Sequence, residues 1–271
     1  MPSVGDAGDG RFVLKKLLGE GGAGRVWLAE DRERPGLDLA LKELTGPETT
    51  RHEDAFRREF ATLACLRHPS LVEVDEFDIS PDTGRTRFTL ELVEGRDLIG
   101  AVRREGTEVL GALAVEALRA LSFLHDLDLI HRDLKPSNLL VRDRPKLGCR
   151  LVVVDFGLAL RVSDQPSEAF RPAGTIAYLA PEVLANRAAS RRSDLYALGA
   201  VLLEAVTGRP PARWEPDERG IGAALAREPI SVSTPSAENL KAHPERLSSA
   251  LRSTSLVIDS SRKTPRTSVM S

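Results

Sequence analysis

The alternation of polar and apolar positions changes character about a third of the way along the chain. "RFVLKKLLGE" (11–20), "RVWLAED" (25–31) and "LDLALKEL" (37–44) each mix apolar and polar residues in the manner of a strand with one face inward. "GGAG" separates the first two. The period then switches. Phe56, Phe60, Leu63 and Leu66 recur at helical spacing and predict an amphipathic helix over 51–66, ended by His68-Pro69. Strand patterns return in "LVEVDEFDI" (71–79) and "RTRFTLELV" (85–93), joined by a Pro-Asp-Thr-Gly turn.

Beyond this point helices prevail. A short one is expected at 97–104 and a long, largely apolar one at 109–127, whose apolar character suits burial at a domain's centre. "RLVVVDFGLAL" (150–160) reads as a strand running into a polar segment. Residues 191–208 predict a second buried helix with Gly208 as its stop. The signal is weak over 209–242, and helical spacing recovers over 243–258. Strands first and helices afterwards define an α+β chain in two lobes. The expected division is a disordered lead-in at 1–10, an N-lobe over 11–94 and a C-lobe over 95–271.

One stretch breaks the pattern. "LIHRDLKPSNLL" (129–140) sets His131, Arg132, Asp133, Lys135 and Asn138 between two apolar flanks. Unpaired charges are costly in a core, and a solvent loop needs no such flanks. The segment is expected to be a polar site mounted on a rigid apolar base.

Composition removes several alternatives. The chain has 271 residues, 38 basic against 40 acidic, and a net charge of −2. That leaves no global field to recruit nucleic acid or an anionic membrane. No apolar run approaches the roughly 20 residues needed to span a bilayer, and the first ten residues lack the features of a signal peptide. Cys65 and Cys149 sit in no metal-ligand spacing; two reduced thiols fit a cytoplasmic chain. Lysine is scarce beside arginine, which draws attention to Lys42 and Lys135 as places where an ammonium is specifically useful.

Three further features carry candidate chemistry. "GEGGAG" (19–24) matches GxGxxG, but a strand follows it rather than a helix. It therefore suits a Gly-rich hairpin whose N–H groups fold over phosphates better than a dinucleotide site; a plain turn is the alternative. Lys42 lies in the strand "LALK", and Glu59 lies on the helix side next to Phe56, Phe60 and Leu63. The two form either an ion pair aimed at phosphates or two unrelated surface charges. Finally, "HRDLKPSN" (131–138) is followed in order by "DFG" (155–157), "GT" (174–175) and "APE" (180–182).

With that set, residues 12–266 resemble the protein kinase family, in particular the eukaryotic-like serine/threonine kinases of bacteria. The resemblance implies a bilobal protein-kinase-like fold, with a five-stranded antiparallel N-lobe sheet, one helix and a mainly helical C-lobe. It implies ATP and Mg²⁺ as cofactors, with protein substrates as partners and a transient homodimer for autophosphorylation. By resemblance, Asp133 would be the catalytic base, Lys135 would neutralise the transferred group, and Asn138 and Asp155 would hold metal. Thr175 would bond both Asp133 and Lys135 and, with Lys135, favour serine or threonine over tyrosine as acceptor. The segment Leu18, Gly19, Glu20, Gly21, Gly22, Ala23 and Gly24 would cover the phosphates. Val26, Ala40 and Leu140 would sandwich the adenine behind Leu90, and Glu91 and Val93 would offer it backbone hydrogen bonds. Asp97 would meet the ribose.

Other residues take supporting roles in the same resemblance. His131 and Phe156, with Leu63 and a residue near Val74, would stack as an apolar column. Asp194 would hold the catalytic loop from below, and Glu182 would pair with Arg262 or Arg266. Arg132 would dock a phosphorylated loop carrying Ser163 or Ser167. Trp214 is expected to be a packing residue. The 22 positions separating Asp133 from Asp155 are slightly more than usual, and the extra length falls in a polar hairpin, "RDRPKLGC" (142–149), expected to be harmless. The end at Ser271 suggests a piece of a longer kinase. A pseudokinase and a small-molecule phosphotransferase of similar fold are the rival readings; the full set of charged residues argues against the first, and "GT" with "APE" against the second.

Overall fold

The computed structural model describes residues 5–6, 10–21, 24–45, 50–80, 84–161 and 175–210. Gly22, Ala23, Ser163, Ser167, Gly174, Trp214, the helix expected at 243–258, Arg262 and Arg266 lie outside the described residues.

A six-stranded antiparallel sheet forms the first lobe. Its strands are β1 (Gly5–Asp6), β2 (Phe12–Gly21), β3 (Gly24–Asp31), β4 (Asp38–Glu43), β5 (Val74–Ile79) and β6 (Thr86–Glu91), in the order β1-β2-β3-β4-β6-β5. The five expected strands are all present. The sixth, β1, falls within the expected lead-in and pairs Gly5 with Leu14 and Asp6 with Val13. Strands β2 and β3 pair as far as Gly21 opposite Gly24. Gly24 has φ 130°, and a Cβ there would stand 2.1 Å from the Glu43 carbonyl oxygen, so only glycine lets β3 approach β4 at this point.

Strand periodicity gives the sheet two faces. Phe12, Trp27, Ala29, Leu39 and Leu41 are buried together on one. On the other, cross-strand partners line up Val26 with Lys42, Ala40 with Leu28 and Leu90, and Lys42 with Phe88. Helix α1 (Thr50–Ala64) packs against this second face. Phe56 meets Phe88 at 4.8 Å between ring centroids, and Phe60 meets Phe77 at 5.2 Å. Buried aromatic side chains are worth about 1.5–3 kcal/mol each, so this stack fixes the rotation of α1 and with it the direction of Glu59.

The second lobe is built on α2 (Leu98–Glu105), α3 (Leu110–Asp126), α4 (Pro181–Leu184) and α5 (Arg191–Thr207). Asp97 caps α2 by accepting the Gly100 N–H at 2.6 Å. Helix α3 buries Leu113, Ala117, Ala120, Leu121 and Leu124, one stripe at helical spacing. Pro181 opens α4, where its missing N–H costs nothing. Gly208 ends α5 in the left-handed region at φ 71°, as its sequence position predicts. Two small sheets complete the lobe: β7 (Gly95–Asp97), β9 (Leu139–Lys146) and β10 (Cys149–Val153) in the order β10-β9-β7, and β8 (Leu129–Ile130) with β11 (Leu160–Arg161). One buried cluster runs from Phe56, Leu63 and Phe88 through Leu121, Leu139 and Val153 to Leu198 and Val201, so the two lobes share a core.

Candidate active site

Lys42 projects from β4 on the face that α1 covers. Its Nζ lies 2.6 Å from Glu59 Oε1 and 3.1 Å from Asp155 Oδ1. The lysine and Glu59 are buried, whereas 41% of the Asp155 side chain remains open. Burial works against the Lys42 ammonium, but the Glu59 and Asp155 carboxylates outweigh it and hold its pKa above the ordinary lysine value. Burial likewise pushes Asp155 up, and the facing Lys42 ammonium overrides it, so the carboxyl sits below its usual range. The Lys42 charge also lies 5.8 Å from the Phe88 ring centroid.

The polar stretch quoted above is mounted as expected. Leu129 and Ile130 are buried in β8, Leu139 is buried in β9, and Leu134 is buried between them. From this base Asp133 meets four donors. Oδ1 accepts the Thr175 N–H at 3.0 Å and the Thr175 hydroxyl at 3.3 Å. Oδ2 accepts Lys135 Nζ at 2.6 Å and Asn138 Nδ2 at 3.3 Å. Asn138 Nδ2 also binds the Asp133 carbonyl at 2.8 Å, and its Oδ1 accepts the Ser137 hydroxyl at 3.5 Å. Lys135 ends on Asp133, and among the described residues it makes no bond to Thr175.

Asp194 of α5 anchors the loop from beneath. It accepts the backbone N–H groups of His131 and Arg132, each at 2.9 Å, and touches His125 Nε2 at 2.9 Å. The His131 and Phe156 rings meet at 4.9 Å, and Leu63, Val74 and Phe156 belong to one buried cluster. His131 Nδ1 accepts the Asp133 N–H at 3.4 Å while Nε2 faces the Val154 carbonyl at 3.3 Å, contacts that assign the proton to Nε2. His131 is thus a structural side chain. Glu182 accepts the Ser193 hydroxyl at 2.9 Å.

Three of the residues expected around a nucleotide lie on one face of the sheet. Val26, Ala40 and Leu90 share the Lys42 face of the sheet, and Leu140 and Val93 are half-buried at the lobe junction. Leu18, Gly19, Glu20 and Gly21 occupy the exposed end of β2. Asp97 is half-buried and already engaged as the α2 cap. The Glu91 N–H is bonded to the Glu73 carbonyl at 2.9 Å. Sequence reasoning missed His125 because its partner lies 69 positions away. It also missed the acceptors of the β10 backbone: Glu116 Oε2 takes the N–H groups of Arg150 at 2.9 Å and Leu151 at 2.7 Å.

A buried strand lysine paired to a helix glutamate and to Asp155, with a loop aspartate held by Thr175, Lys135 and Asn138, is the arrangement of the protein-kinase class. A family model described as protein kinase domain matches residues 12–267, and the chain belongs to that family. It is 38% identical to the DNA damage-responsive serine/threonine-protein kinase RqkA of Deinococcus radiodurans, over 77% of this chain and 31% of that one. It is 36% identical to the serine/threonine-protein kinase PknA of Mycobacterium tuberculosis, over 78% of this chain and 50% of the relative. A calcium/calmodulin-dependent protein kinase type 1 of Macrobrachium nipponense shares 32% identity over 80% of this chain and 61% of its own. The chain therefore spans 31% to 61% of the length of these curated relatives.

Proposed function

We propose that the chain transfers the γ-phosphate of Mg-ATP to serine or threonine hydroxyls of proteins. One observation carries the reading: Lys42, Glu59 and Asp155 form a single charged contact at the lobe junction, while Asp133 is fixed in the loop below by Thr175, Lys135 and Asn138. Phosphoryl transfer needs positioned charge more than covalent chemistry from the protein, and this arrangement supplies it.

The donor set fits Mg²⁺. Asp155 offers a carboxylate and Asn138 an amide oxygen, both hard donors, and Mg²⁺ commonly takes only one or two protein oxygens besides phosphates and water. When bound, the ion would neutralise charge on the β- and γ-phosphates. Lys42, held by Glu59, would orient the phosphates. Asp133 would align the acceptor hydroxyl and take its proton as the oxygen bonds to phosphorus and ADP departs. Lys135, 2.6 Å from Asp133, would balance charge on the moving group. The β2–β3 hairpin, with Leu18 to Gly24, would close over the phosphates, and Val26, Ala40, Leu140, Glu91, Val93 and Asp97 would take the nucleoside.

Protein substrates follow from this reading, as does a transient homodimer for autophosphorylation. The absence of a helix long and apolar enough to cross a membrane among the described residues is compatible with a cytoplasmic setting, as are the unpaired Cys65 and Cys149. The test is an ATP-dependent transfer assay with phosphosite mapping, run on basic proteins and aminoglycosides side by side. Transfer to serine and threonine is expected. Asp133→Asn should lower the rate by about 10²- to 10⁴-fold with nucleotide affinity within about twofold. Transfer to aminoglycosides alone would make the protein a small-molecule phosphotransferase, and nucleotide binding without transfer a pseudokinase.

A further inference from the structure

The connection between the lobes, residues 91–95, lies along β9 rather than hanging free. Asp143 N–H bonds to the Glu94 carbonyl at 3.0 Å. Gly95, Arg96 and Asp97 pair as β7 with Arg142, Val141 and Leu140. The approach is so close that a Cβ on Gly95 would stand 2.0 Å from the Val141 carbonyl oxygen.

Side chains of the same hairpin reach one step further. Arg142 Nη2 lies 2.7 Å from Glu91 Oε1, and Lys146 Nζ lies 2.8 Å from Glu91 Oε2 and 2.9 Å from Glu73 Oε2. The Glu73 N–H also points at Glu91 Oε1, at 3.2 Å. Two cations thus face two carboxylates, with Arg142 only 7% exposed and Glu91 17%. Burial disfavours the Lys146 ammonium, yet Glu91 and Glu73 raise its pKa above the ordinary value. The base of the hairpin is fixed in turn. Arg150 forms a two-pronged contact with Glu105 of α2, both bonds 2.7 Å, and its Nε bonds to the Arg142 carbonyl at 3.1 Å.

We propose that the β9–β10 hairpin is a splint for the inter-lobe connection, and that Arg142 and Lys146 are positioning residues for nucleotide binding. They act through Glu91, whose backbone is where the proposed function seats the base. The inference rests on that reading. The hairpin holds the residues that lengthen the interval between Asp133 and Asp155, so the expected harmless insertion acquires a task. Without the two cations, the Glu91 carboxylate keeps only the Glu73 N–H and faces the Glu73 carboxylate, a repulsive pair. The side chain then turns to solvent, and the connection loses the preorganisation that favours binding.

The experiment is steady-state kinetics of the full 271-residue chain, with ATP varied against myelin basic protein and Tm recorded for each variant. Arg142→Ala with Lys146→Ala is expected to raise KM for ATP about fivefold or more, with kcat within about twofold. The same pair placed in a Glu91→Gln background should add no comparable rise, because the shared partner is already neutral. Lys146→Arg should retain the original KM. Should the double variant fail to fold, Lys146→Ala alone, at a side chain more than a third exposed, is expected to raise KM about twofold. An active chain whose KM for ATP is unchanged in the variants, with or without a lower Tm, overturns the splint alone. An equal rise in the Glu91→Gln background also overturns it. A wild-type chain that transfers no phosphate from ATP overturns the kinase reading and the splint with it.

Discussion

Burying an ammonium costs several kcal/mol unless carboxylates face it, and Lys42 is faced by two. The contact has a consequence for stability that is separate from catalysis. In Lys42→Met the methionine fills the space, but Glu59, 3% exposed, loses its cation. Burial already drives the Glu59 carboxyl above its ordinary pKa, and without the ammonium nothing comparable opposes that drive. A carboxyl whose folded pKa lies above its unfolded value stabilises the fold at pH below the unfolded value, and the benefit fades as pH rises through the folded pKa. The variant is therefore expected to lose about 3 kcal/mol relative to wild type at pH 8 and distinctly less at pH 5. The wild type, in which the Lys42 ammonium opposes the rise of Glu59, is measured alongside as the reference. Its raised Lys42 titrates above the ordinary lysine range, and its lowered Asp155 below the ordinary carboxylate range. Urea denaturation at the two pH values measures the difference; an equal loss at both would contradict the assignment of Glu59 as the stranded charge.

Strand β3 ends on Asp31, a wholly buried carboxylate that ties three strands together. It accepts Arg11 at 3.2 Å through both oxygens, Arg34 at 2.8 Å and the Glu33 N–H at 3.0 Å, while Arg11 reaches on to Glu76 of β5 at 2.7 Å. Burial would raise the Asp31 carboxyl, but these donors outweigh it and hold it at about 2. Its folded pKa is thus depressed, so its stabilisation is complete above the unfolded value near 4 and is lost as pH falls toward about 2. Asp31→Asn is expected to cost about 3 kcal/mol at pH 7. The gap to wild type should close below pH 3, as read from paired denaturation curves; a gap independent of pH would exclude an ionic origin. This network illustrates what sequence patterns expose and what they do not. The period-2 runs gave β2 to β6, and the Phe56, Phe60, Leu63 spacing gave α1 and even the side on which Glu59 stands. Strands β7, β8 and β11 are two or three residues long, too short for any period to register. The Arg11–Glu76 bond spans 65 positions, so its members look like ordinary surface charges until the sheet brings them together; Lys42 and Asp155, 113 positions apart, stood out singly, but their direct contact is visible only once the lobes meet. The loop over 131–138 was legible for another reason: its charged residues stand within a few positions of one another, and the apolar flanks on either side announce the base that holds them.

The lobes differ in architecture but are joined by one core, and this decides how the molecule should unfold. Phe56 and Leu63 of α1, Val74 of β5 and Phe88 of β6 are buried in the same cluster as Leu121 of α3, Val153 of β10 and Val201 of α5. Separating the lobes would expose apolar surface on both sides at roughly 25 cal/mol per Å² and would strand Lys42 and Asp155 on opposite halves. The smaller cluster on the far face of the sheet, which holds Trp27, is separate from that shared core. It is therefore the sensitive place to look for independent melting. With Trp214→Phe, Trp27 becomes the sole tryptophan, and its fluorescence reports on the first lobe while circular dichroism at 222 nm weighs the helices of the second. The two thermal transitions are expected to coincide. Mg-ATP at about a hundredfold its Kd, by binding only the folded state, should raise both midpoints together, an effect worth about 2.7 kcal/mol. A fluorescence midpoint several degrees below the helical one would show that the sheet melts on its own. A shift of only one midpoint with Mg-ATP would show that the nucleotide engages one lobe rather than the junction marked by Lys42 and Asp155.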